Sequence, residues 1–483
     1  MTRFKSFFPV LLLFLVLVLA GCSTNPATGQ QQFAALMSPQ QEVDVGAREH
    51  QKIIAQYGLV NDPKIVQYVN TLGRKVTQDT ERPDVMYKFF VLDSPIVNAF
   101  ALPGGYVYVS RGLLALANSE AELAGVLAHE TGHITARHSA ERYSTGVVTS
   151  LGASVLSAAI GGGTGVSEAL GAGTDLYLNG YSRGQESQAD SLGLRYMSRG
   201  GYDAVAMSSF LSSLQQDSAL DNKITGQKDS PVSSYFSTHP PTMERVARTS
   251  AESVKYPKGG IINRAQHLQA VNGLVFGDSP AQGFVRGTTF YHPTLGFMFT
   301  APQGFGVMNQ TAQVVANAPS GAVVIFDLVE GQVGVDPSVY MGRWMPDVPL
   351  NSIEKITVNG MQAATGAFDG QVNGKPMKIR LVAIAWGDKM ARFKLGIPQG
   401  ADPAAIEGLK RMTYSFRPMT TEEQARIQPY RVRLFTAMAG DTVQSVARRM
   451  PISVFQEERF RVLNGLRPED DLRVGEMYKT ISD

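Results

Sequence analysis

Apolar and polar positions along this chain change texture several times, and each texture predicts different elements. Phe7 to Ala20 is an almost unbroken apolar run behind the basic Arg3 and Lys5. Helical patterning starts at Ser38-Pro39, a helix-start signal. Val91-Leu92 and Tyr106-Val107-Tyr108-Val109 predict two strands around Asn98 to Gly105, with Pro103-Gly104-Gly105 as a turn signal. Ser119 and Glu122 have capping-box spacing ahead of Leu123, Gly125, Val126, Leu127 and Ala128. That run is too apolar for an exposed helix and predicts a largely buried one. Gly146 to Ile160 is nearly all small or apolar, and glycines then dominate through Gly173. It is too short and too rich in Gly, Ser and Ala for a bilayer span. It predicts a buried or mobile helical hairpin, with a membrane- or partner-touching surface as the alternative. Leu192, Leu194 and Tyr196 predict another helix that packs inward.

After Tyr256-Pro257-Lys258-Gly259-Gly260, a strong breaker, the pattern loosens into a linker at 257–287 with Gly273, Gly277, Pro280 and Gly283. From 288 to 418 strands take over: Gly296-Phe297-Met298-Phe299-Thr300, Val323-Val324-Ile325-Phe326 and Ile379-Arg380-Leu381-Val382-Ala383-Ile384. Asn359-Gly360 and Asn373-Gly374 are hairpin turns by composition. Pro403 to Met412 predicts a helix. The opening of this region resembles the PsbP/Mog-like α/β sandwich, and no catalytic constellation falls within it. A binding or positioning module is expected. Residues 430–482 resemble a LysM module, a small βααβ domain: Gly440-Asp441-Thr442 precedes a helix, Leu463-Asn464-Gly465-Leu466 closes a second, and Leu472-Arg473-Val474-Gly475 leads to a final strand. That resemblance implies peptidoglycan contact, with packing or protein contact as the alternative use. The chain is thus expected to be α+β and multidomain: a mainly helical domain with a small β-sheet at 38–256, an α/β sandwich-like domain, and the βααβ domain.

The opening run places the chain. A basic start, a hydrophobic stretch and Leu19-Ala20-Gly21-Cys22 resemble a bacterial lipoprotein signal over 1–21, with Cys22 lipidated. Ser23 after the cysteine implies outer-membrane sorting, facing the periplasm. Acyl chains at Cys22 would anchor the body without a spanning helix. Residues 22–37, with Asn25-Pro26-Ala27-Thr28-Gly29, are expected to be a tether. Without Arg3 and Lys5 the 44 basic side chains become 42, equal to the 42 acidic ones. A formally neutral body argues against nucleic acid as partner. Cys22 is the only cysteine, which excludes a catalytic Cys/His pair, a cysteine metal site and an internal disulfide.

His129-Glu130-Thr131-Gly132-His133 carries the chemistry. Two histidines four apart share a helix face and can take two corners of a zinc tetrahedron. Glu130, about 100° around the turn, can reach a water on such a metal without ligating it. A buried pair of core histidines would have the same spacing, so a third ligand decides. Glu186, one helical turn before Asp190, offers it: one carboxylate can bind metal while the other holds a histidine N–H. Three protein ligands leave the fourth position open for catalysis.

With Asn98-Ala99-Phe100-Ala101-Leu102-Pro103-Gly104-Gly105, HETGH, the Glu186/Asp190 segment and Ser237-Thr238-His239-Pro240-Pro241-Thr242 with Arg245 in order, residues 38 to 250 resemble the gluzincin metallopeptidases. That family includes HtpX, BepA and the CAAX prenyl endopeptidases. The resemblance implies a zinc endopeptidase. His129, His133 and Glu186 would bind Zn2+. Glu130 would take a proton from the attacking water and pass it to the leaving amine. An edge strand at Asn98, Ala99, Phe100 and Ala101 would pair with an extended peptide. His239 and Arg245 are the motif candidates for the oxyanion, with Tyr181 and Arg183 behind them. His239, beside two prolines, is also a candidate for the fourth zinc position when no substrate is bound. His138, five residues past His133, turns off the ligand face of a continued helix and is expected at the surface. His50, His267 and His292 lack a partner at ligand spacing and are expected to be structural or exposed. Gly161-Gly162-Gly163-Thr164-Gly165 lacks the lysine and preceding strand of a phosphate loop. Substrates are expected among unfolded or misassembled envelope proteins. The competing reading is a non-catalytic envelope adaptor using the C-terminal domains; an intact Glu130 favours the enzyme.

Overall fold

A computed structural model describes residues 22–159, 180–225, 239, 243–310, 312–346, 352–372, 375–452 and 454–483. The signal-like run, the Gly161–Gly165 loop, Asn373-Gly374, and Ser237, Thr238, Pro240, Pro241 and Thr242 lie outside the described residues. The chain divides into two units, one running up to Phe276 and including Arg431–Asp483, the other Gly277–Tyr430.

The first unit begins with a hairpin where a tether was expected. Strand β1 (Cys22–Thr24) pairs antiparallel with β2 (Gln31–Phe33). Asn25 explains the order: its Oδ1 accepts from the Ala27 and Thr28 amides, and its Nδ2 donates to Gln32 Oε1 and the Ala136 carbonyl. An asparagine that satisfies two amides of its own turn makes a closed loop rather than a slack one. Helices α1 (Pro39–Tyr57) and α2 (Pro63–Thr77) follow, started by Ser38 and Asp62 caps.

A three-stranded sheet of β3 (Lys88–Leu92), β4 (Ala99–Leu102) and β5 (Tyr106–Ser110) runs in the order β3-β5-β4, with β3 parallel and β4 antiparallel to β5. So Asn98 to Gly105 is both strand and turn. Gly105 has φ +95°, and a Cβ there would stand 2.4 Å from the Met86 carbonyl oxygen, so only glycine closes this turn.

Helices α3 (Arg111–Leu116), α4 (Glu120–Thr135), α5 (His138–Ala159), α6 (Arg183–Arg199), α7 (Val205–Thr225), α8 (Met243–Ser253) and α9 (Arg264–Val271) complete this part. Leu72, Val107, Val109, Leu123, Leu127, Leu194 and Phe210 share one core. The stretch from Gly146 continues α5 as far as Ala159, and the rest of the expected hairpin, through Gly173, lies outside the described residues. Among the described residues no helix is long and apolar enough to cross a membrane. The expected linker at 257–287 contains α9, which buries Leu268, Val271 and His267. His267 lies 2.8 Å from the Tyr68 hydroxyl and 3.2 Å from the Leu114 carbonyl, a structural histidine. The breaker sequence thus ends one helix without ending the unit.

The second unit has β6 (Phe284–Arg286), β7 (Thr289–His292), β8 (Phe297–Thr300), β9 (Gly306–Gln310), β10 (Gln313–Asn317), β11 (Val323–Val329), α10 (Pro337–Trp344), β12 (Ile353–Val358), β13 (Met361–Val372), β14 (Lys375–Trp386), β15 (Lys389–Pro398), α11 (Pro403–Tyr414), β16 (Arg417–Pro418) and α12 (Thr421–Arg426). A seven-stranded antiparallel sheet has the order β12-β13-β14-β15-β11-β10-β9, and a four-stranded one β16-β8-β7-β6. Asn359 and Gly360 both have positive φ, 47° and 82°, which closes the β12–β13 hairpin between Val358 and Met361. Phe290, Phe297, Phe299, Phe326, Phe393 and Phe416 fill its core.

The chain then returns to the first unit as β17 (Arg431–Thr436), α13 (Val443–Ala447), α14 (Gln456–Asn464) and β18 (Met477–Ser482), a strand-helix-helix-strand segment with β17 and β18 antiparallel. Val432 and Val462 enter the first unit's core.

Candidate metal centre

Helix α4 starts at Ser119, whose hydroxyl accepts from the Glu122 amide. Glu122 reaches back one residue further than a capping box requires, to the Asn118 amide at 2.7 Å, and also accepts from Ser209. Every residue from Ala121 to Thr135 is buried. Helix α6 has a full capping box from Ser182 and Gln185. The two helices approach closely because each has a glycine at the crossing. A Cβ on Gly132 would lie 3.1 Å from the Ala189 carbonyl oxygen, and one on Gly193 3.1 Å from the His129 amide nitrogen. This proximity brings Glu186 to the histidines.

His129, His133, Glu186 and His239 are all buried, with one donor atom from each inside a 4.8 Å group. His129 Nε2 lies 3.1 Å from His133 Nε2 and 3.3 Å from His239 Nδ1. Glu186 Oε1 lies 3.5 Å from His133 Nε2 and 2.8 Å from His239 Nδ1. Atoms at two corners of a tetrahedron around zinc, each about 2.0–2.1 Å from it, are about 3.3 Å apart. The spacing and chemistry of this donor set fit zinc.

Around this group the charges are balanced. Asp190 Oδ1 lies 3.0 Å from His129 Nδ1. Arg245, expected among the oxyanion donors, is 2% exposed. Its guanidinium is engaged by Asp190 and, at 2.8 Å, by Glu186 Oε2. It therefore ties the two carboxylates together, a contact that the oxyanion expectation did not include. Arg248 adds a second guanidinium 2.8 Å from Asp190. Burial would raise the Asp190 pKa, but Arg245 and His129 outweigh it and bring it down to about 2. Glu186 is likewise held well below the usual range: burial is outweighed by His239, His133 and Arg245. Burial pushes Glu130 up, against the pull of His239 and His129. Neither Glu130 oxygen has a hydrogen-bond partner among the described residues, and His239 Nε2 stands 3.4 Å from its Oε1.

Tyr181 stacks on His133 with ring centroids 3.8 Å apart, whereas Arg183 is exposed at the start of α6 and does not converge. Strand β4 is an edge of its sheet among the described residues, and it packs against α4. The Asn98 amide and carbonyl pair with Ser110. Ala99, Phe100 and Ala101 are buried. His138 departs from expectation: it is 0% exposed, with Nδ1 2.9 Å from His133 Nδ1. The helix does not continue through it. Helix α4 stops at Thr135 and Arg137 takes a left-handed φ of 57°, which turns His138 back toward His133. His50 packs at a tilt against Phe90 and Tyr106, and His292 is buried.

Residues 63–253 match the family model described as peptidase family M48. The putative beta-barrel assembly-enhancing protease of Vibrio cholerae is 31% identical over 218 residues, covering 44% of this chain and 43% of that protein. The beta-barrel assembly-enhancing protease of Escherichia coli is 31% identical over 182 residues, 36% of this chain and 37% of that one. The mitochondrial metalloendopeptidase OMA1 of Schizosaccharomyces pombe is 30% identical over 207 residues, 41% and 57% respectively. The chain spans less than two thirds of the length of each of these relatives. Among solved structures, cyanobacterial PsbP of Synechocystis is 12% identical, covering 28% of this chain and 95% of that one, with a TM-score of 0.23. A score this low does not bear on the fold.

Proposed function

We propose that the protein is a zinc-dependent endopeptidase of the bacterial cell envelope, a reading supported by the match of residues 63–253 to the family model described as peptidase family M48. One observation carries the reading: a buried carboxylate, Glu130, with no hydrogen-bond partner among the described residues, stands beside a buried His-His-Glu donor set. A purely structural metal site has no use for such a group. When bound, zinc supplies Lewis acidity that polarises a carbonyl and acidifies water. Glu130 then takes the proton of the attacking water and delivers it to the leaving amine. Asp190 and Arg245 hold His129 and Glu186 in register. The edge of β4, from Asn98 through Ala101, binds the substrate backbone as an added strand, which recognises extended peptide with little demand on sequence. His239 faces both the donor set and Glu130. It serves as oxyanion partner or as the resting occupant of the fourth position.

Such a specificity suits unfolded or misassembled proteins, and the bacterial relatives, named for enhancing β-barrel assembly, support β-barrel proteins of the envelope as the class of substrate in this reading. In this reading Cys22 bears the lipid anchor at the periplasmic face of the outer membrane. The LysM-like segment at 430–482 adds contact with peptidoglycan. The decisive assay is casein cleavage by the purified body, with and without chelator and in Glu130→Gln. Activity is expected to vanish with chelator and to fall about 10²–10⁴-fold in the variant while zinc content is kept. Activity indifferent to both would sink the peptidase reading.

A further inference from the structure

The two HETGH histidines are held from behind by different groups. Behind His129 stands a carboxylate, Asp190 Oδ1, 3.0 Å from Nδ1. Behind His133 stands an imidazole, His138 Nδ1, at 2.9 Å. His138 is fully buried, and its other nitrogen, Nε2, lies 3.1 Å from Gln188 Oε1. Gln188 is oriented in turn: its Nε2 donates to Gln30 Oε1 at 2.8 Å, and its Oε1 also receives Asn25 Nδ2 at 3.4 Å. The polarity of this chain is fixed at its amide end. An amide oxygen only accepts, so His138 Nε2 carries the proton and Nδ1 keeps its lone pair. Nδ1 then accepts from His133 Nδ1–H, which leaves the lone pair of His133 Nε2 facing the donor set.

We infer that His138 is a positioning residue of the metal centre, fixing the tautomer and ring plane of His133, and that Gln188 with the Asn25 turn holds His138 in that state. This rests on the zinc reading above. It also gives the hairpin after Cys22 a task, since Asn25 and Gln30 close the relay from the side of β1 and β2. The two ligands are thereby unequal. Asp190 lends negative charge to His129, whereas His138 orients His133 without adding any.

The test measures zinc dissociation constants of the full chain by chelator competition, with thermal melting of the metal-free proteins as the check on folding. His138→Phe keeps a flat ring but offers no acceptor, and zinc binding is expected to weaken about 10–100-fold. His138→Asn places an amide oxygen near the lost Nδ1 and is expected to restore affinity to within about threefold of wild type. Gln188→Met, of similar reach but without the amide oxygen, is expected to fall between them. The metal-free proteins should melt together. Wild-type affinity in His138→Phe, or His138→Asn as weak as His138→Phe, overturns the inference. If His138→Phe does not fold, Gln188→Met decides, and wild-type affinity there overturns it equally. A wild-type protein that binds no zinc overturns the metal reading itself and the inference with it, so the two failures are distinguishable.

Discussion

His239 touches both halves of the proposed chemistry. Its Nδ1 is 2.8 Å from Glu186 Oε1, and its Nε2 is 3.4 Å from Glu130 Oε1. Burial would lower its pKa, but Glu186 and Glu130 raise it above the ordinary histidine value. A side chain so placed either closes the fourth zinc position at rest or donates to the oxyanion. His239→Ala separates these roles. Closure predicts weaker zinc binding with cleavage preserved or raised; donation predicts unchanged zinc and slower cleavage, about 10²–10³-fold. Casein cleavage and chelator competition on the same preparations read both, and no change in either would refute both roles. At this scale the sequence was informative where geometry is local. The His129/His133 pair and the Glu186/Asp190 pair are each legible from helix spacing, whereas their convergence depends on the crossing of α4 and α6. His138 was misplaced because the spacing rule assumes a continuous helix, and the left-handed Arg137 breaks it. Arg245 was visible as a motif member, but its pairing with Asp190 and Glu186 depends on the approach of α8 to α6.

Helix α4 delivers its ligands only because α6 comes close. A Cβ on Gly193 would meet the His129 backbone at 3.1 and 3.2 Å and the Met207 methyl at 3.2 Å. Gly193→Val therefore wedges the two helices apart exactly where His129 and Glu186 must converge. It is expected to cost about 1–3 kcal/mol in urea unfolding and to weaken zinc binding; unaltered zinc affinity would contradict this role for the crossing. A second element contact predicts pH dependence. Asp217 and Asp221, one turn apart on α7, share the field of Arg459 on α14. Burial first, then Asp221, raises the Asp217 pKa to about 7, with Arg459 opposing. Between its ordinary value and that one, the folded chain holds a proton the unfolded chain has lost. Stability from this group is therefore present at acid pH and lost as pH rises toward 7. Asp217→Asn should stabilise the protein at pH 8, by about 2 kcal/mol, and have little effect near pH 4. Melting curves at the two pH values check it, and an equal effect at both would argue against it. Three strands of the second unit, β8, β11 and β14, and the Asn359-Gly360 turn were legible from β-rich runs and turn composition, while the βααβ order rested on the resemblance of 430–482 to a LysM module. The β1–β2 hairpin and α9 were not: they are short, polar or flanked by breakers, and their order comes from long-range partners such as Ala136 and Leu114.

Across the whole molecule, the C-terminal segment is part of the first unit's structure. Lys479 on β18 is fully buried and donates to the carbonyls of Ala115, Leu116 and Ala117, at 2.7, 3.1 and 2.6 Å. These carbonyls lie at the end of α3, where a cation is favoured and a helix leaves acceptors open. Burial pulls the Lys479 pKa well below its ordinary value, opposed by Glu122, the residue that caps the start of α4. One ammonium thus ties the C-terminal strand to the element that precedes the HETGH helix. A resemblance to a small βααβ module suggests a detachable domain, because nothing local in the sequence marks a lysine whose partners lie more than three hundred residues earlier. The pairing predicts otherwise. Lys479→Met keeps an apolar stem of similar length but leaves three carbonyls without their donor and Glu122 without its cation. It should destabilise the zinc-containing unit by about 3–5 kcal/mol. Urea unfolding followed by release of zinc reads that unit directly. If zinc release and β18 unfold as separate transitions, with the first unchanged by Lys479→Met, the segment is an appendage and its place in the unit's core carries no energy.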